Sequence, residues 1–250
     1  MIFTPIKTNK LIPPKDSLDK LINPILSEIK ESSIIVISSK VVSIVEGNCL
    51  IISDVQDKDV LIKKEADLYL ERKHVPGNWL LHTIKNNILI PTAGIDESNS
   101  NGYFILWPKN PEKSAAKICK LIKQRTGFKN IGVIITDSHS IPLRRGLVGL
   151  SIASYGFKPL YDYRGKKDLF NRELKVSQTN IPDSLASGVV MLMGEGNEQT
   201  PIVLISELPK SIEFINQKYK PKGQFSTLEV PIEEDLFKPF LTAVPWKKSK

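Results

Sequence analysis

Residues 131–146 read IGVIITDSHSIPLRRG, and the fold turns on how that stretch is taken. Ile131 to Ile135 form a β-branched, apolar run of the kind found in a strand buried on both faces. Thr136, Asp137, Ser138, His139, Arg144 and Arg145 then crowd its end before Gly146. An ordinary turn does not need that much chemistry. Just downstream, VGLSIAS (148–154) reads as a second strand. Upstream, residues 111–125 form a helix: Pro111 suits its first turn, Ala115, Ile118, Cys119 and Ile122 share a face, and Gly127 follows as a stop.

Working outward, WLLHTI (79–84) and ILIPTAG (88–94) read as a hairpin joined by Lys85, Asn86 and Asn87. SIIVISSKVVSIV (33–45) is β-branched and reads as strand, broken by Ser38, Ser39 and Lys40. SLDKLINPILSEIK (17–30) places Leu18, Leu21, Ile22, Ile25, Leu26 and Ile29 on one helical face, with Pro24 kinking it. Towards the other end, a polar connection at 161–176 leads to a helix opening at Pro182 and Asp183 and ending near Met193 to Gly196. PIVLIS (201–206) is the last core strand, and the chain is less regular from Leu208 onward. Strands and helices alternate without a strict βαβ rhythm, so the expected class is α+β with mixed sheets.

Bulk properties narrow the function. The chain has 250 residues, 41% hydrophobic and 25% charged, ordinary values for a globular protein with a substantial core. No run approaches the roughly 20 apolar residues of a membrane span, and MIFTPIKTNK lacks a secretory leader's apolar core. A cytoplasmic location is expected. Cys49 and Cys119 suggest no disulfide framework, and three histidines (His74, His82, His139) give little basis for zinc. The net charge of +8 opens nucleic acid as a partner. The basic residues are spread along the chain, however, with no aromatic-interleaved basic strand. A small polyanion such as a nucleotide accounts for the charge equally well.

Three acids sit at element ends beside small residues: Asp96 in TAGIDESN, Asp137 in the opening stretch, and Glu195 between Gly194 and Gly196. Carboxylates distant in sequence can converge on one hard divalent cation, together with substrate phosphate oxygens. The same acids would also serve as Asx-turn caps, and spacing leaves both readings open. No G-x-x-x-x-G-K-[ST] and no G-x-G-x-x-G occurs, which excludes a P-loop and argues against a dinucleotide oxidoreductase. Ser138 and His139 lack the context of a serine hydrolase. Arg144 and Arg145 have the forked guanidinium suited to carboxylate or phosphate, or are surface charges on a turn.

Taken in order, SSKVVSIVEG, AGIDESN, WPKNPEKSA, IGVIITDS, RRGLVGLSIASYGFKPLYDYRGKKDLFNREL and LMGEGNEQTPIVL resemble the deazaflavin-coenzyme γ-glutamyl ligase (CofE) family. The match runs over about residues 11–207. The resemblance implies a two-lobed α+β unit over 1–207, with 208–250 as an extension packing on the same unit, and a homodimer. It implies a ligase that joins L-glutamate to a carboxylate of a deazaflavin- or folate-type cofactor through an acyl phosphate. GTP or ATP would be co-substrate, with two Mg²⁺ or Mn²⁺ ions and K⁺ as an optional addition. Asp96 and Asp137 match ligands of a first metal, Ser138 and Glu195 those of a second. Nucleotide contacts fall on Leu11, Ile12, Pro13, Pro14, Ser39, Lys40, Asn99, Met193, Gly194, Gly196, Asn197, Glu198, Gln199 and Thr200. Arg144 and Arg145 are the candidate catalytic clamps on the substrate anions, with at least one facing the metals and Ser140-Ile141 shaping the acceptor pocket.

Four residues, at three places, depart from the family pattern. Ile44 stands where the family has lysine, Ser140-Ile141 where it has Gly-Arg, and Thr92 where it has asparagine. These departures leave the acceptor open between deazaflavin and folate types. They also keep a catalytically altered nucleotide- or metal-binding homologue as an alternative, with a basic nucleic-acid binder behind it.

Overall fold

A computed structural model describes residues 1–216, 219 and 227–249. In chain order the first elements are β1 (Ile2–Ile6), α1 (Leu18–Ile22), β2 (Ser33–Ser38), α2 (Ser39–Glu46), β3 (Cys49–Ile51) and α3 (Lys58–Glu65). Next come β4 (Leu68–Leu70), β5 (His82–Lys85), β6 (Ile88–Pro91), β7 (Tyr103–Ile105), α4 (Pro111–Thr126) and β8 (Ile131–His139). The rest are β9 (Val148–Tyr155), β10 (Leu160–Asp162), β11 (Gln178–Asn180), α5 (Ile181–Met193), β12 (Ile202–Ser206), α6 (Lys238–Leu241) and β13 (Lys247–Lys248). The class is α+β, as expected.

The main sheet has the order β1-β12-β2-β8-β9, with only the β2/β8 pair parallel. Its strands obey a period of two. Ile35, Ile37, Val133, Ile135 and Leu204 face a core shared with α1 and α4, while Ile34, Val36, Ile134 and Val203 face α5. Covering both faces explains why the strands read as unbroken apolar runs. A second sheet, β13-β4-β5-β6, packs with α3 around its own cluster, including Leu61, Ile62, Leu81 and Ile95. The 208–249 segment, where described, lies on both: Phe214 bridges Phe157 beside β9, and β13 pairs with β4.

Most local expectations hold. Asn86 and Asn87 both have positive φ, the backbone a two-residue hairpin turn demands and asparagine tolerates. Pro24 ends α1, and the chain continues as a 3₁₀ turn. One reading needs correction: strand stops at Ser38, and Ser39–Glu46 is helix, closed by Gly47 in the left-handed region. The β-branched composition of VVSIV suggested strand, but the buried set Ser39, Val42, Ser43 and Ile44 follows helical spacing. Packing there overrides propensity. The polar connection also proves ordered. Past the β10/β11 pair, Tyr163 bonds Ser177, Gly165 bonds Leu174, and Lys167 bridges Glu173. The result is a hairpin arm whose tip presents Leu169 and Phe170 at 97% and 88% exposure.

The turn before Asp96 is strained. Thr92, Ala93 and Gly94 have φ of 54°, 53° and 70° in succession. A left-handed conformation costs a β-branched residue about 1–2 kcal/mol and an asparagine much less. Thr92→Asn should therefore raise Tm by about 2–4 °C, read by scanning calorimetry; a lowered Tm would show that the threonine is favoured there.

Candidate active site

The acids reach one cavity from three different parts of the chain. Strand β8 carries Asp137 and Ser138 to its end, where a bulge opposite β9 falls between Ile135 and Thr136. Such irregularities re-aim side chains at strand ends. Asp96 follows the strained turn, and its backbone exchanges two hydrogen bonds with Ile105 (3.0 and 2.8 Å). Glu195 lies just beyond the C-terminal end of α5. All three line one cavity of about 660 Å³, with Ser138, Lys40, Asn99, Leu11, Ile12, Pro13 and residues 193–201.

Within it Lys40 Nζ lies 2.7 Å from Asp96 Oδ2 and donates to Ser98 Oγ and O (2.9 and 3.0 Å). Burial works against the Asp96 charge, but Lys40 and the Ser98 N–H outweigh it and hold the carboxyl below its ordinary value. Asp137 is shifted the other way. Burial, aided by the nearby Asp96 charge, pushes it up to about 6, against donors from Trp107 Nε1 and Ser138 N (2.9 Å for the latter). Ser138 Oγ donates to Glu195 Oε2 at 3.3 Å. Asn99 Nδ2 donates to the Gly196 carbonyl (2.7 Å), joining two parts of the cavity lining, and Gly196 N donates to Glu198 Oε2 (2.9 Å).

Not every expected residue arrives. Pro14 is exposed and Ser39 is buried in the first turn of α2; neither lines the cavity. Arg144 and Arg145 are exposed in the β8–β9 connection and do not line it, nor do Ser140 and Ile141. The expectation was that at least one arginine faces the metal site; neither is among the residues that line this cavity. The reason is length: β8 continues two residues past Asp137, so the connection has left the cavity before the arginines begin. Sequence reading missed Thr8, Asn9, Lys10, Ser98 and Asn101 in the lining. Ser98 and Asn101 lie in the same polar loop as Asp96, which was the available signal.

Among the described residues no three His, Cys, Asp or Glu side chains are gathered closely enough to hold an ion by themselves. Yet the donor set fits a hard cation. It is all oxygen, two of its acids interact unfavourably, and a lysine ammonium already neutralises one of them. Such a set suits an ion whose remaining ligands come from substrate phosphate and water.

The F420-0:gamma-glutamyl ligase family model matches residues 6–207. The chain belongs to that family. Similar proteins include a coenzyme F420:L-glutamate ligase of Methanocaldococcus jannaschii, 34% identical over 229 residues, covering 84% of this chain and 86% of the relative. The Methanococcus maripaludis protein of the same name is 36% identical over 194 residues (72% and 78%), and that of Methanopyrus kandleri 30% over 226 (84% and 88%). The family places this chain among amide-bond-forming ligases. No helix among the described residues is long and apolar enough to cross a membrane.

Proposed function

We propose that this ligase joins L-glutamate to a carboxylate of a deazaflavin- or folate-type cofactor, using GTP or ATP. The observation that carries the reading is the single cavity in which acids, a lysine and donor-rich backbone meet. Its volume suits a cofactor-sized ligand. Ser38 precedes α2 without a side-chain cap, so free N–H groups at that helix N-terminus are available to phosphate. Residues 193–200 and Lys40 supply further donors. Leu11, Ile12, Pro13 and Met193 offer an apolar wall for a flat ring.

The chemistry follows from the reactants. A carboxylate is a poor electrophile, so phosphoryl transfer from the nucleotide first makes an acyl phosphate. The glutamate amine then attacks the acyl carbon, a C–N bond forms, and phosphate leaves with the electrons of the broken C–O bond. Asp96, Asp137, Ser138 and Glu195 are the residues that would hold Mg²⁺ or Mn²⁺, which would neutralise phosphate charge during transfer. The protein's own part is to hold the anions together and to keep bulk water from the acyl group.

The test is incubation of the protein with L-glutamate, Mg²⁺, GTP or ATP, and each acceptor type, followed by mass spectrometry. One glutamyl increment on an acceptor supports the reading, and none on any acceptor with either nucleotide overturns it. A second reading, a binding homologue without turnover, draws on Ile44, which lines the cavity where the family has a lysine. It predicts nucleotide binding without product.

Assembly as a homodimer belongs to the same proposal, supported by the ordered arm with its apolar tip, a feature that suits burial against another surface. Light scattering at micromolar concentration should give twice the chain mass; a monomer mass would refute it.

A further inference from the structure

Trp107 is 2% exposed, and its indole N–H is directed at Asp137 Oδ2. The other carboxylate oxygen, Oδ1, accepts from Ser138 N. Each oxygen of Asp137 is thus held by one N–H, which fixes the plane of the carboxylate. The indole is itself fixed. Its backbone carbonyl accepts from Asn48 Nδ2 at 2.6 Å, and the preceding residue is pinned by Leu106 N donating to Asn48 O at 3.2 Å. Lys85, 8% exposed and paired with Glu65 at 2.8 Å, lies 5.8 Å from the ring centroid. Gly94 makes room: a Cβ there would stand 2.1 Å from Trp107 Nε1.

The same short stretch also governs the second acid. Ile105, two residues earlier, pairs its backbone with Asp96 in both directions. Residues 105–107 therefore hold the backbone of one acid and the carboxylate of the other, although the two acids lie 41 residues apart in sequence. The geometry points to Trp107 as a positioning residue that fixes the Asp137 carboxylate relative to Asp96 for cation binding. This rests on the proposed cation-dependent ligase reading. A donor that orients a ligating carboxylate is worth about 10- to 100-fold in metal affinity.

The experiment uses the full chain and Mn²⁺ alone, followed by calorimetry and electron paramagnetic resonance. Trp107→Phe keeps an aromatic ring and removes the N–H, and it should weaken Mn²⁺ by about 10- to 100-fold. In an Asp137→Asn background the same change should add little, because the residue acts through that carboxylate; a general packing defect would add fully. Unchanged affinity in Trp107→Phe, or a full additive loss in the double variant, overturns the assignment.

A second measurement needs no folded Trp107 variant. In ¹⁵N-indole-labelled protein, assigned with Trp79→Phe and Trp246→Phe, the Trp107 N–H should exchange slowly and shift on Asp137→Asn. Fast exchange with no shift overturns the proposal. Absence of Mn²⁺ binding to the unmodified protein would defeat the cation reading instead, and the indole signal would then decide Trp107 independently.

Discussion

Asp137→Asn should abolish glutamylation, lowering turnover by about a thousandfold or more, the size expected when several kcal/mol of charge stabilisation are lost. Amide and carboxylate occupy nearly the same volume, so the β8 terminus has no cause to move. What disappears is the negative charge beside Asp96 and one of the two acceptors now used by Trp107 and Ser138. The fold itself should survive. Burial raises the Asp137 carboxyl to about 6, so at neutral pH the folded state holds a charge it disfavours. Removing that charge offsets the lost acceptor. Turnover measured by product mass, with Tm and circular dichroism alongside, checks both halves. An active variant would remove Asp137 from the chemistry.

Gly149→Val should be strongly destabilising. On β9, a Cβ at this position would stand 2.3 Å from the backbone oxygen of Ala186 and 2.6 Å from Val190 Cγ2. The obstacle is helix backbone, which cannot rotate away as a flexible side chain would. Ser187 Oγ also donates to the Gly149 carbonyl at 2.8 Å, so α5 rests on the strand at this point. A cost of about 3 kcal/mol, the upper end of ordinary overpacking, is expected. This corresponds to a fall in Tm of roughly 6–12 °C. Because α5 leads into Gly194 and Glu195, lifting it should also displace the cavity loop. A fall of under 2 °C by calorimetry, or about 1 kcal/mol, would show that helix and strand separate freely.

How much of this was legible beforehand depended on the range of the interaction. IGVII, PIVLIS and the helix after Pro111 were readable because their periodicity and stop signals are local. Asn86-Asn87 announced its turn for the same reason. VVSIV was misread because the residues that make it helical are contacts supplied from α1, β7 and β8. Asp96, Asp137, Ser138 and Glu195 stand out in the sequence as polar groups at element ends, and all four line one cavity. Arg144 and Arg145 follow Asp137 closely in sequence but do not line the cavity, because adjacency along the chain is not adjacency in space. Trp107 is silent in the sequence, since nothing in WPKNP says that its indole reaches a residue 30 positions away.

The position of β12 in the main sheet has a consequence for how the chain is made. It lies between β1 and β2, although it is the last of the five strands in sequence. A growing chain on the ribosome therefore carries β1 and β2 for well over a hundred residues before their common neighbour exists. Until residue 206 has emerged, each has an open edge, and such non-local pairing is slow and prone to mispairing. The loop 193–201, which closes the cavity, emerges immediately before that strand. Completion of the main sheet and completion of the pocket thus both wait on residues 193–206.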